Sequence, residues 1–252
     1  LAEKGIPHEA IDVADEARVN ITIVEDDGTT TKLNTPGAPL PQSVADRVLD
    51  RLAHHAADSS WVVLAGSLPP GAPTDFYATC IRHLRATHPE VGIAVDTSDA
   101  ALAALADNLP DAAPEVLAPN GVELGQLAGI DGNELERRAA DGHLSPVVAA
   151  ARRLNERGVG EVLVTLGAVG AVLVLADGPA LAAAPPPIVP ASTVGAGDSA
   201  LAGYLLAREE GLDPAGTLAR AVAYGSAATA LPGTSLPDPD ETHPELVAIR
   251  EL

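Results

Sequence analysis

The stretch STVGAGDSALAGYL, residues 192–205, places two glycines and an aspartate ahead of an apolar helical pattern. Within it, GAGDSA fits G-x-G-x-x-A, the formula of a dinucleotide-binding turn. Such a turn follows a strand, opens a βαβ unit and needs an acid about 20 residues on, at the next strand end. Here two helical patterns follow instead. One starts near Gly197; the other starts near Asp213-Pro214, a cap and first-turn pair, and stops before Gly233. The dinucleotide reading therefore fails, and the P-loop formula G-x-x-x-x-G-K-[ST] occurs nowhere in the chain. What survives is an anion hole. Gly195, Ala196 and Gly197 let several N–H groups converge at the positive end of a helix. Asp198 beside them can take a proton from an attacking hydroxyl, or it can simply cap the helix.

Upstream, short apolar runs recur at 61–67 (WVVLAGS), 91–98 (VGIAVDTS), 115–120 (EVLAPN) and 161–167 (EVLVTLG). Helical patterns fall at about 43–57, 74–87, 99–108, 121–128 and 145–158. Apolar strands alternating with helices predict an α/β fold with a parallel sheet covered on both faces. GAVLVLADG, 170–178, follows the fourth run after only a short turn, so the sheet is expected to finish antiparallel. Residues 1–39 differ. RVNITIVEDDGTTTKL alternates at Val19, Ile21 and Ile23 and turns at Asp27-Gly28, which predicts a β-hairpin with one covered face. GIPHEAIDV before it is read as a further strand. Two units are expected: a β-rich flap over 1–39 and an α/β body over 40–252.

Composition narrows the function. The net charge is −20, and aromatics make up 2% of the 252 residues. Nucleic acid and acidic membranes are repelled on average, and stacking platforms for single strands are nearly absent. Only Lys4 and Lys32 are lysines, so arginine must supply most local positive charge. The single cysteine, Cys80, excludes an internal disulfide and a cysteine-based zinc site, and its helical context suggests a buried structural thiol. With no long uninterrupted apolar run, these features point to a reducing cytoplasm. The opening LAEKGIPHEA, without a methionine, reads as the middle of a domain.

In open parallel sheets, ligands bind beyond the carboxyl ends of the strands. Those ends carry Gly66-Ser67, Asp96-Thr97-Ser98, Asn120 and Thr165-Leu166-Gly167. Asn120 and Glu123, three apart at a strand end and a first helical turn, can face one hydrated Mg²⁺ or form a capping box. Gly167 and Gly170 in TLGAVG make a second turn whose backbone can approach a nucleotide.

Jointly, LNTPGAPL, LAGSLPPGAPTDFYA, LAPNGVEL, VLVTLGAVGAVLV and STVGAGDSALAGYL resemble the ribokinase-like carbohydrate kinases of the phosphofructokinase B type. GSLPPG with TKLNTPG is similar to the 1-phosphofructokinase and tagatose-6-phosphate kinase subgroup. The resemblance implies a three-layer α/β/α sandwich with a mostly parallel sheet and a small β-lid that mediates dimerisation. It implies ATP and Mg²⁺ as cofactors and a phosphorylated ketohexose as substrate. Asp198 would be the catalytic base, with Gly195, Ala196 and Gly197 as the anion hole. Asn120 and Glu123 would position Mg²⁺ through water; Thr165, Gly167, Gly170, Gly225 and Ser226 would contact ATP. Arg18, Lys32 and Ser67 would hold the sugar phosphate. Fructose 1-phosphate is the expected acceptor. The alternatives are tagatose-6-phosphate or 6-phosphofructokinase activity, or a non-catalytic fragment that binds a nucleotide or sugar phosphate. The chain departs from the family pattern at Ala118, where lysine is usual. The family's N-terminal strand, sugar-binding aspartate and Gly-Gly motif are expected upstream of Leu1.

Overall fold

The computed structural model describes residues 5–13, 16–24 and 30–252. Two antiparallel strands, β1 (Asn20–Val24) and β2 (Thr30–Asn34), form the hairpin, with Ile21 opposite Leu33. The expected turn at Asp27-Gly28 lies outside the described residues. The expected cover on one hairpin face does not appear at its described side chains: Val19, Ile21 and Leu33 are 50, 48 and 52% exposed. GIPHEAIDV also forms no strand among its described residues. Gly5 sits at φ +65° and Pro7 lacks a ladder donor. Glu9 is instead tied to helix α1 (Gln42–Ala56) through Arg51 (3.2 Å) and His55 (2.7 Å).

The body follows the expected alternation. In order come α1 (Gln42–Ala56), β3 (Trp61–Ala65), α2 (Phe76–Thr87), β4 (Gly92–Asp96), α3 (Asp99–Asp107), β5 (Val116–Leu117) and α4 (Gly121–Ala128). Then follow α5 (Gly132–Ala140), α6 (Ser145–Asn155), β6 (Glu161–Thr165), β7 (Ala171–Leu175), β8 (Ala180–Ala184), α7 (Ala196–Glu209), α8 (Pro214–Ala230) and β9 (Ala248–Glu251). The sheet order is β3-β4-β5-β6-β7-β8-β9. The first four strands are parallel, and β7, β8 and β9 continue the sheet antiparallel.

Period-two alternation divides the core. Ile93, Val95, Val162, Val164, Val172 and Val174 face the layer built from α1 to α6. Ala94, Leu163, Ala171 and Leu173 face Leu201 and Tyr204 of α7 and Leu218 and Val222 of α8. The result is a three-layer α/β/α sandwich. Sequence reading missed α5, whose GNELERRAA is mostly polar and buries only Gly132, Leu135 and Ala139. It also missed β8, an alanine-rich run without β-branched residues, and β9. Cys80 is buried, and burial pushes its thiol up to about 12, as suits an inert thiol. Among the described residues, no helix is long and apolar enough to cross a membrane.

Candidate active site

Every candidate at the sheet edge is set by where an element starts or stops. Gly195 takes φ +78° as the N-cap of α7, a conformation suited to glycine. The helix ladder begins with Ser199 N–H donating to Gly195 O at 2.9 Å. The N–H groups of Gly197 and Asp198 meet no acceptor among the described residues. These are the orphan donors of a helix start, and they are available to an anion. Asp198 does not cap the helix: α7 has no side-chain cap, and the residue is exposed. Its carboxylate is free to act.

Behind it lies a cavity of about 130 Å³ lined by Asp96, Ala118, Asn120, Glu123, Leu163, Thr165 and Gly197. An isolated parallel bridge sets Asn120 beside Thr165. Asn120 caps α4 by accepting from Glu123 N–H at 2.9 Å, and Glu123 Oε2 accepts from Asn120 N–H at 2.9 Å. The capping box is thus fully formed. Glu123 Oε1 accepts no hydrogen bond among the described residues and remains available. Burial raises Glu123 above the usual carboxylate range, against the hydrogen bond from Asn120.

Asp96 is a residue that sequence reading placed at a strand end without giving it a role. It ends β4, and a β-carbon on Gly197 would come 4.0 Å from its Oδ2. Burial first, then the carboxylates of Asp198 and Glu123, push it up to about 6. The signal was present in its position at a strand end; no local motif singled it out. No basic side chain lines this cavity among the described residues, and at position 118 a buried methyl forms the wall.

The remaining candidates do not line this cavity. Gly167 (φ +55°) opens a single 3-10 turn over Gly167–Val169, and Gly170 (φ +104°) closes it. A β-carbon on Gly170 would lie 1.9 Å from Ala183 O, so strand packing alone demands glycine there. Gly225, in mid-α8, faces the first turn of α7, where a methyl would come 3.2 Å from Ala196 O. Ser226 follows it on the same helix. Beyond β3, Arg18 Nη1 donates to Ser67 Oγ, and Arg18 Nε donates to Asn20 Oδ1 at 2.9 Å. The flap and the end of β3 therefore meet through two of the sugar-phosphate candidates. The backbone of Lys32 lies in β2, but its side chain lies outside the described residues.

The family model of the pfkB carbohydrate kinases matches residues 1–241. The 1-phosphofructokinase of Rhodobacter capsulatus is 39% identical over 226 residues, covering 88% of this chain and 66% of that relative. The 1-phosphofructokinase of Haloferax volcanii is 34% identical over 255 residues, covering 99% of this chain and 76% of the relative. A third relative of that name, from Xanthomonas campestris, is 36% identical and covered over 61% of its length, so the chain spans less than two thirds of the Rhodobacter and Xanthomonas relatives. Among solved structures, phosphofructokinase-2 from Escherichia coli in complex with potassium superposes with a TM-score of 0.78 at 28% identity, covering 95% of this chain and 73% of that one. Ribokinase from Thermotoga maritima, at 20% identity and a TM-score of 0.64, covers 92% of this chain and 70% of its own and shares the fold. The chain belongs to the pfkB family of carbohydrate kinases.

Proposed function

We propose that the complete protein transfers the terminal phosphoryl group of ATP to the C6 hydroxyl of D-fructose 1-phosphate, giving fructose 1,6-bisphosphate and ADP. The observation that carries this reading is the free Asp198 carboxylate beside two unpaired N–H groups at the start of α7. In the reaction, the C6 oxygen forms a bond to the terminal phosphorus as the bond to the β,γ-bridging oxygen breaks. Asp198 accepts the hydroxyl proton, and the Gly197 and Asp198 N–H groups stabilise charge on the transferring group. Thr165, Gly167, Gly170, Gly225 and Ser226 are assigned to the nucleotide side. Arg18, Ser67 and Lys32 are assigned to the existing phosphate of the sugar, and an acidic protein needs such local cations to hold a dianion.

The donor set fits magnesium. Asp96 and Glu123 offer hard carboxylate oxygens, Asn120 caps the same turn, and the cavity lacks a basic side chain among the described residues. When bound, the ion neutralises charge on the phosphates. The flap over 1–39 is read as a lid on the 40–252 body. Its exposed Val19, Ile21 and Leu33 supply an apolar face for a second lid in a homodimer. The cytoplasm, where ATP and phosphosugars occur together, is the compartment this reading expects.

The test is a comparison of kcat/KM for fructose 1-phosphate, tagatose 6-phosphate and fructose 6-phosphate with ATP and Mg²⁺. The reading expects the first to be favoured. A preference for either other sugar reassigns the acceptor, and calorimetric ATP binding without ADP release overturns the kinase reading in favour of a sensor.

A further inference from the structure

One residue links the two halves of the site. Gly66, at φ +91°, follows β3, and its N–H donates to Asp96 O at 2.8 Å. Its carbonyl accepts two hydroxyls: Tyr77 from α2 at 2.8 Å and Thr97 from the turn after β4 at 2.8 Å. Tyr77 also lies 3.1 Å from Ala65 O. Tyr77 and Thr97 are 8 and 3% exposed, so neither hydroxyl has bulk water as a ready alternative. A carbonyl oxygen has two lone pairs, and here both are engaged.

The Gly66–Ser67 peptide is trans, so the Ser67 N–H points opposite to that held carbonyl. It is directed away from the buried hydroxyls and meets no acceptor among the described residues. It belongs to the same exposed residue whose Oγ receives Arg18.

We propose that Tyr77 and Thr97 are positioning residues for the phosphosugar: together they fix the Gly66–Ser67 peptide, so that the Ser67 N–H is held ready for the anion that Arg18 attracts. Neither touches substrate. The inference rests on the kinase reading above and adds two residues to which neither motif nor spacing gave a role. Because Gly66 N–H, in the preceding peptide, also holds the end of β4, the same residue keeps the sugar-phosphate side in register with Asp96. Loosening it weakens capture of the sugar and leaves the nucleotide side intact.

The experiment uses the full-length protein carrying Tyr77→Phe, Thr97→Val, both together, and Thr97→Ser. The first two delete one hydroxyl each at nearly constant volume. Each is expected to raise the KM for fructose 1-phosphate about fivefold to tenfold, the scale of one lost hydrogen bond. KM for ATP and kcat are expected to stay within about twofold, because chemistry at Asp198 is not engaged. Thr97→Ser is expected to restore the parent KM. The double variant, which leaves the carbonyl unpartnered, is expected to exceed the product of the two single effects and to speed hydrogen exchange at the Gly66 amide. Parent protein that turns over no phosphosugar overturns the kinase reading and this inference with it. An active parent whose variants keep the sugar KM, or change sugar and ATP KM alike, overturns this inference alone. Lost thermal stability with unchanged KM also overturns it, since that marks a purely structural role.

Discussion

The two ends of the sheet treat the same residue types in opposite ways. At the amino ends, Glu115 is held by Arg85 and by the Ile93 N–H at 2.7 Å. Glu161, which opens β6, accepts from both Tyr204 and Arg208 of α7. Arg152 closes the far end of β7 by donating to the carbonyls of Leu175 and Gly178. At the carboxyl ends, Asp96, Glu123 and Asp198 crowd together without a basic partner in the cavity among the described residues. A paired carboxylate adds to cohesion, whereas crowded unpaired carboxylates subtract from it. The molecule concentrates its electrostatic strain where a cation and phosphates would relieve it.

Four substitutions break or sharpen this contrast. The largest effect is expected from Asp198→Ala in the full-length protein. Loss of the base should lower kcat about a thousandfold while ATP still binds by calorimetry and melting is nearly unchanged. Near-normal turnover would remove Asp198 from the mechanism.

Asp96→Asn comes next, and it should stabilise the fold. The folded carboxyl is raised from 3.8 to about 6. A raised carboxyl binds more protons when folded, so its ionisation costs stability as pH climbs through that window. The cost is fully present above the folded value and absent below the unfolded one, and amounts to about 2–3 kcal/mol. Asp96→Asn should therefore melt higher than the parent at pH 8, match it near pH 4, and lose activity. Equal melting at both pH values would show that the site is not strained.

At the opposite end the sign should reverse. Tyr204→Phe removes a buried hydroxyl from Glu161 and should cost about 1–2 kcal/mol in denaturant unfolding, with KM and kcat unchanged. An equal loss of turnover would mean that the two ends are not separable.

Gly225→Ala is the smallest and the most discriminating. Its methyl would press on Ala196 O at 3.2 Å and the Ala200 β-carbon at 3.3 Å, displacing the first turn of α7 by a few tenths of an ångström. A drop in kcat of about threefold to tenfold at constant KM for ATP would mark Gly225 as a helix spacer. A raised KM for ATP would mark it as a nucleotide contact.

The layered body was legible because its strands alternate apolar residues over two covered faces, and Asn120 and Asp213 announce their helices as caps. Polar α5 and alanine-rich β8 escaped because their stability comes from neighbours and not from their own pattern. Within the site, the glycine turn and the Asn120–Glu123 spacing were readable, since local backbone chemistry fixes both. The roles of Asp96, Tyr77 and Thr97 were not, although Asp96 and Thr97 stood among the strand-end residues, because what makes them matter is long-range: crowding by Asp198 and Glu123, and hydroxyls converging on Gly66. The covered face expected of the hairpin was not found at its described side chains, because alternation marks an apolar face but does not supply the neighbour that covers it.

Helix α7 behaves as a cantilever. Tyr204 and Arg208 clamp its far part to the foot of β6, six and ten residues beyond Asp198, or about 9 and 15 Å along the axis. The tip that carries Asp198 extends from that mounting, braced where Gly225 lets α8 come close and where Ser199, Ala200 and Leu201 are buried. A stiff beam fixed at its base can carry altered chemistry at its end without collapsing. The exposed positions of the tip, Gly197 and Asp198, can therefore be changed while the rest of the sandwich keeps its shape.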